Sequence, residues 1–116
     1  HLKNYGVIYD DPMGNDIRLA PIYDVVTTTA YIPWDIPALS LGGSKKWWSG
    51  AALRAFGVSH CGLSQGKIGR IFDAVTAAVM ETRGDVRRYA DELPAFRDTA
   101  AKMEAEWEKG LETLKK

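Results

Sequence analysis

Two residues of the kind that binds magnesium stand at either end of a predicted β-hairpin. Asn4 precedes a run of β-prone residues, and Asp24 follows a second such run. Between them, the turn formers at 11–15 (DPMGN) predict a hairpin over roughly Tyr5–Ile22. Because paired strands lie side by side, Asn4 and Asp24 are expected at the same end of the hairpin. Mg²⁺ takes oxygen ligands, usually only one or two of them from protein. The two residues are therefore predicted to form a metal pair, although each alone is also typical of a turn or cap.

The sequence at both ends of this hairpin resembles the motifs of a kinase family. Residues 1–4 are HLKN, and residues 19–26 are LAPIYDVV. The HipA-like serine/threonine kinases have a catalytic loop G-D-x-H-x-K-N and a metal-binding aspartate within L-x-P-x-Y-D-V. The chain matches these motifs, in this order across a hairpin, at His1, Lys3 and Asn4 and then at Leu19, Pro21, Tyr23, Asp24 and Val25.

The resemblance implies an ATP-dependent kinase that uses ATP and Mg²⁺ and phosphorylates serine or threonine of a protein substrate. Asn4 and Asp24 would hold the metal, and the residues lining the bound nucleotide would be His1, Leu2, Lys3, Asn4, Tyr23 and Asp24. The family's catalytic aspartate lies two positions before the motif histidine, so it is expected just before His1. On this interpretation the chain is a C-terminal lobe fragment that is itself inactive and contains no catalytic residue.

The resemblance also implies a protein partner, an antitoxin carrying a helix-turn-helix, so that any contact with DNA would be indirect. The chain has 15 basic and 15 acidic residues and no net charge, which provides no electrostatic footprint for nucleic acid or an anionic membrane. Its single cysteine, Cys61, suits a reducing compartment, so the cytoplasm is the expected location. No membrane partner is expected. The fragment is expected to self-associate through the surface that the upstream lobe would cover.

The rest of the chain is predicted to be helical. The spacing of apolar residues predicts a helix from Trp47 to Gly57, a second from a Ser64 N-cap to Gly84, a short helical piece at 85–89 and an amphipathic helix over 93–114. The predicted fold is mainly α with a small β-hairpin (α+β), the C-terminal lobe of a protein-kinase-like fold. We expect a single domain over 1–116, made of the catalytic-loop end and hairpin (1–23), a loop (24–46) and a helical part (47–116).

Three other groups of polar residues have a possible functional role, but an ordinary structural role is simpler for each. Lys45 and Lys46 follow a Gly-Gly pair, but their spacing does not match a Walker phosphate loop, which favours a solvated loop. Thr27–Thr29 lies where a kinase keeps its activation segment, and three threonines are also common in loops. His60-Cys61 has no second pair of metal-type residues at a useful spacing.

A competing hypothesis is a non-catalytic helical protein-interaction domain. It predicts an exposed apolar patch around Trp47 and Trp48, or along Trp107 and Leu111 of the last helix. The three- and four-residue spacing of that helix fits either a coiled coil or the domain's own core. We favour the core, because Trp107 is bulky for a coiled-coil seam.

Overall fold

The computed structural model describes residues 4–14, 16–40 and 42–115. Within them, strands β1 (Val7–Tyr9) and β2 (Ile17–Leu19) are followed by helices α1 (Gly50–Ser59), α2 (Gln65–Glu92) and α3 (Arg97–Leu114), with 3-10 turns at Thr28–Ala30 and Pro94–Phe96. The predicted fold class, mainly α with a small β-hairpin, is confirmed. None of the helices in the described ranges is both long and apolar enough to cross a membrane.

Residue contacts divide the chain into two compact units. The first lies within residues 1–26 and 36–46 and contains the hairpin, and the second lies within 27–35 and 47–116 and contains the three helices named above. Residues 27–35 thus belong with the helices, although the chain on both sides of them belongs with the hairpin. The single domain predicted over 1–116 stays a prediction.

The hairpin forms where the turn residues predicted it. Strands β1 and β2 pair antiparallel, with Ile8 opposite Arg18 at the centre of the register. In the turn, the Gly14 N–H donates to the Asp11 carbonyl at 2.9 Å, and Gly14 has a φ of +76°, which glycine adopts without steric cost. Arg18 pairs with Asp10 at 3.1 Å across the turn end. Local turn chemistry therefore fixes the register of this short sheet.

Serine side chains cap the first two helices. Ser49 Oγ accepts from the Ala52 N–H at 3.2 Å at the start of α1, and Ser64 Oγ accepts from the Lys67 N–H at 3.3 Å at the start of α2. Each contact satisfies one of the backbone donors that a helix leaves free at its N-terminus. The Ser64 cap was predicted, whereas α1 begins at Gly50 and not at Trp47.

Other predicted helix boundaries were also wrong. Helix α1 continues through Gly57 to Ser59, and α2 runs without a break through Gly84 to Glu92, so the short piece predicted at 85–89 is part of α2. The last helix is interrupted near its start, where Pro94–Phe96 forms a 3-10 turn before α3. A glycine costs a helix only about 1 kcal/mol, so packing elsewhere along the helix outweighs it.

The helical unit is held by small buried residues and an ion-pair network. Ile68, Ala90 and Ala100 are buried, so α2 packs closely against its neighbours. Glu104 of α3 lies between Arg87 at 2.6 Å and Arg83 at 3.4 Å, both of which come from α2. These contacts show that α3 folds back along the C-terminal half of α2.

Candidate functional site

The hairpin places Asn4 and Asp24 in direct contact. Pairing continues past the strands, because the Ala20 N–H donates to the Gly6 carbonyl at 2.9 Å. Asn4 precedes this last backbone bond by two residues and Asp24 follows it by four, so both stand at the open end of the hairpin. Asn4 Nδ2 donates to Asp24 Oδ2 at 2.7 Å and to the Asp24 carbonyl at 2.9 Å.

This contact fixes which oxygens remain available. The amide nitrogen of Asn4 must face the carboxylate, because two oxygens 2.7 Å apart would repel each other. Asn4 Oδ1 therefore points elsewhere, and Asp24 keeps a second carboxylate oxygen. Each residue thus offers one hard oxygen at a solvent-accessible site. This donor set fits Mg²⁺, which takes one or two protein oxygens and completes its shell with phosphate and water.

Asp24 holds an unusual backbone conformation. Its φ is +53°, and it is the one residue other than glycine with a positive φ among the described residues. The left-handed region costs most L-residues roughly 1–2 kcal/mol, and aspartate tolerates it better than most. Such strain concentrates at functional sites, where the surrounding structure enforces it. Here two hydrogen bonds donated by Asn4 Nδ2, one to the Asp24 carbonyl and one to its carboxylate, hold Asp24 in this conformation.

The other predicted nucleotide contacts divide into two groups. Tyr23 adjoins the pair in sequence, is about half exposed (48 %), and its hydroxyl lies 4.0 Å from where a Cβ on Gly6 would stand. The Tyr23 hydroxyl therefore lies close to the backbone of Gly6 near the open end of the hairpin. His1, Leu2 and Lys3 lie outside the described residues.

The remaining polar candidates make local contacts. Lys45 and Lys46 are exposed, and the backbone N–H of Lys46 donates to Ser44 Oγ at 3.2 Å. The His60 ring stacks on Phe56 with centroids 5.0 Å apart, and Cys61 is exposed. Among the described residues no three His, Cys, Asp or Glu side chains converge as a metal-binding group. A cation at Asn4 and Asp24 would therefore take most of its ligands from a bound phosphate and water.

An open groove of about 410 Å³ runs between α2 and α3. Its charged lining is of both signs and consists of Arg83, Arg87, Asp91, Arg97, Glu104 and Glu108. Glu104 pairs with two of the arginines, and Arg97 Nε donates to the neutral Ala90 carbonyl at 3.2 Å. These contacts join the two helices and leave little net charge for a ligand.

One contact had no signal in the sequence. The Trp107 indole N–H donates to Thr27 Oγ1 at 2.7 Å across a separation of 80 residues. The sequence predicted only that Trp107 faces the core of the helical part, and it is partly buried as that prediction requires. No local pattern could have predicted its threonine partner, because the bond depends on how α3 packs.

Comparison with known families gives a match to the model of the HipA-like C-terminal domain over residues 1–83. The chain belongs to this HipA-like family. The matched range includes Asn4, Tyr23 and Asp24 and ends within α2, so α3 lies beyond it. No curated protein and no solved structure matches the chain.

Proposed function

We propose that this HipA-like chain contributes the metal-binding side of the active site of an ATP-dependent serine/threonine protein kinase. The observation that carries the proposal is the contact between Asn4 and Asp24, two residues 20 apart. The motif resemblance implies that both are metal ligands. The backbone of Asp24 supports the proposal, because backbone strain of this kind concentrates at functional sites. Family membership supports a kinase-like enzyme in the complete protein.

Each group has a role that follows from its chemistry. Asn4 and Asp24 would hold Mg²⁺, which would supply positive charge to offset the negative charge that develops during phosphoryl transfer to a serine or threonine hydroxyl. Asp24 would provide an anionic oxygen and Asn4 a neutral one. Their mutual hydrogen bond fixes both oxygens before the cation arrives, which lowers the entropy lost on binding. Tyr23 and residues 1–3 would line the phosphates.

The catalytic base would lie outside this chain. Phosphoryl transfer needs a carboxylate that accepts the proton of the substrate hydroxyl. We propose that an aspartate two positions before His1 has this role in the complete protein. The proposed partners are a protein substrate and a helix-turn-helix antitoxin, with DNA reached only through the antitoxin.

The test is a matched pair of substitutions in the complete protein. Asp24→Asn keeps the size and backbone tolerance of aspartate but removes its charge, and we expect phosphotransfer to fall by roughly 100-fold or more with a raised Mg²⁺ requirement. Asp10→Asn makes the same chemical change at the other end of the hairpin, where Asp10 pairs with Arg18, and should leave the rate near wild type. Equal rates for the two variants would remove Asp24 from the metal site.

The exposed tryptophans favour a second candidate, a helical interaction domain. Trp47 is 62 % exposed and Trp34 81 % exposed, and the Trp47 indole N–H donates to the carbonyl of Asp35, next to Trp34. Large exposed aromatic side chains are enriched at protein interfaces. Trp34→Ala should abolish partner capture without changing phosphotransfer if this surface binds a protein. The two candidates are compatible, since these residues belong to the helical unit and Asn4 and Asp24 to the hairpin unit.

A further inference from the structure

Helix α2 has an exposed apolar side in addition to the side that packs within the helical unit. Its packed side includes Ile68, which is buried, and Phe72, whose ring centroid lies 4.5 Å from the Arg54 guanidinium of α1. Ala90 is buried in the C-terminal half of α2, where α3 packs. A second set of apolar residues follows helical spacing on a different side and is exposed. We call this set the α2 strip, which consists of Ile71, Ala74, Val75 and Ala78.

Residues of opposite charge flank the two ends of the α2 strip. Lys67 precedes Ile71 by about one turn, and Asp85 follows Ala78 by about two turns. Lys67 and Asp85 are 18 residues apart, and both are exposed. Because this separation equals about five helical turns, both project from the side of α2 that carries the strip, about 27 Å apart along the helix. The strip therefore has a positive charge at one end and a negative charge at the other.

Both charged groups can accept a further partner. Among the described residues, none forms an ion pair with the Lys67 ammonium. The Asp85 carboxylate accepts from Arg88 on its own helix. Since the two oxygens of a carboxylate accommodate about four hydrogen bonds, Asp85 retains room for a second cation.

The pattern of the α2 strip is complementary to its own reverse. Residue 76 lies midway between Lys67 and Asp85, and Ala74 and Ala78 are each two residues from it. Around a two-fold axis at this midpoint, two α2 helices run antiparallel, and Lys67 of each copy faces Asp85 of the other. Ala74 then meets Ala78 of the other copy, and their small side chains let the helix axes approach closely. A parallel pair would instead bring like charges together at both ends, which is unfavourable.

We propose that a second copy of this chain binds the α2 strip, so that two α2 helices pack antiparallel about residue 76. Burial of the apolar side chains provides the attraction, and the two contacts between Lys67 and Asp85 fix the direction of the helices. Because each copy contributes one side of one helix, the interface is small, and the dimer should dissociate on dilution. The proposal involves only the helical unit and does not depend on the proposed kinase function.

The experiment exchanges the two charges in the complete protein and measures association by analytical sedimentation over a range of concentrations. Lys67→Glu and Asp85→Lys each place like charges at both ends of an antiparallel pair. A double variant carries both changes and restores opposite charges in the reverse order. The control is Lys102→Glu, which makes the same reversal on α3, where Lys102 pairs with Asp98. Circular dichroism checks that each variant keeps its helices.

We expect the wild type and the Lys102→Glu control to dimerise equally well. Each single reversal on α2 should weaken dimerisation about tenfold, because two attractive contacts become repulsive. The double variant should recover the wild-type affinity. A mixture of the two single variants should form mixed dimers, since both contacts then join opposite charges, although neither variant pairs well with itself.

Three results would overturn the proposal. A wild-type protein that stays monomeric at all accessible concentrations would show that no second copy covers the α2 strip, and would leave it to a different protein. Single reversals that dimerise like the wild type would place the self-association on another surface. Weak dimers of both single variants, without recovery in the double variant or the mixture, would show that Lys67 and Asp85 do not face each other.

Discussion

Asp24 combines a motif position in the sequence, an unusual backbone conformation and a proposed role as a metal ligand. Its φ of +53° would suit glycine, yet the residue there is an acid. Glycine would relieve the backbone but provide no oxygen ligand. An aspartate in this conformation therefore favours a role for its carboxylate over a role for the turn alone.

The backbone strain at Asp24 can be measured apart from its side-chain contact. Asp24→Gly and Asp24→Ala both remove the carboxylate that accepts from Asn4 Nδ2 and keep the backbone carbonyl that also accepts from it, but only alanine has to place a Cβ at positive φ. We expect the alanine variant to be less stable than the glycine variant by about 1 kcal/mol. The measurement is exchange of the Ala20 amide, which donates to Gly6 at the end of the hairpin. Equal exchange rates would show that the backbone is relaxed at residue 24.

The pairing of Asn4 with Asp24 was predictable, and the conformation of Asp24 was not. The hairpin depends on turn formers at 11–15 and alternating residues, which are local signals, and the meeting of its two ends follows from strand pairing. The positive φ at residue 24 has no signal in the sequence, because an aspartate adopts that conformation only where the surrounding structure enforces it.

The first residue of α1 lies against the backbone at the end of α3. A Cβ on Gly50, the first residue of α1, would lie 2.7 Å from the Leu114 carbonyl oxygen and 2.8 Å from that of Thr113. Backbone atoms cannot rotate away as the tip of a side chain can. The absence of a side chain at Gly50 therefore sets how closely the two helices approach.

Two glycine substitutions should have opposite effects on stability. Gly50→Ala should destabilise the protein by about 1–3 kcal/mol, since the added methyl group forces α1 away from α3. Gly84→Ala places a methyl group in open space in the middle of α2 and should stabilise it by about 0.5–1 kcal/mol. Denaturant unfolding followed by tryptophan fluorescence measures both. A neutral Gly50→Ala would mean that the contact between the helices relaxes freely.

The contact between α2 and α3 should depend on pH. A hydrogen bond from Arg87, aided by Arg83, lowers the pKa of Glu104 from its ordinary 4.5, and partial burial opposes this only in part. Because the pKa is lower in the folded state, the stabilisation is present above pH 4.5 and is lost as the pH falls through the folded value. Glu104→Gln should therefore be destabilised at pH 7, and its difference from the wild type should shrink below pH 4.5.

The control for that measurement is Glu112→Gln, which removes a largely exposed ion pair with Lys115 on the same helix. Exposed pairs of this kind contribute little to stability. Its unfolding free energy should stay close to that of the wild type across the pH range. A Glu104→Gln variant that behaves in the same way would show that the network with Arg83 and Arg87 does not hold the helices together.

Helix positions could be predicted better than helix ends. Ser64 is a local N-cap signal, and the structure uses it, whereas Gly57 and Gly84 suggested ends that do not exist. The low helix propensity of one glycine contributes less free energy than the packing of the whole 28-residue helix α2. Pro94 was predicted to lie within a continuous helix over 93–114, but it begins the 3-10 turn Pro94–Phe96 between α2 and α3, where its missing N–H is tolerated.

Over the whole molecule, the described residues bury little large apolar surface. None of their large side chains is fully buried, while Ile22 is 86 % exposed and Met13 82 % exposed in the hairpin unit, and Trp34 81 % exposed in the helical unit. Exposed apolar surface of this kind favours association. Sedimentation of the isolated chain should show oligomers that dissociate on dilution. A monomer at all accessible concentrations would contradict the expected self-association.

The last prediction concerns the catalytic competence of residues 1–116 alone. Phosphoryl transfer depends on several groups acting together, among them a phosphate-binding loop, a lysine, a metal pair and a proton acceptor. The chain provides the proposed metal pair, Asn4 and Asp24, and the proposed acceptor precedes His1. The isolated chain should therefore show no phosphotransfer and at most weak heat on calorimetric titration with Mg-ATP, and Asp24→Asn should abolish that heat. Measurable turnover by 1–116 would mean that the catalytic base lies within this chain, and Asp10, Asp11 and Asp16 of the hairpin would then be the first carboxylates to replace.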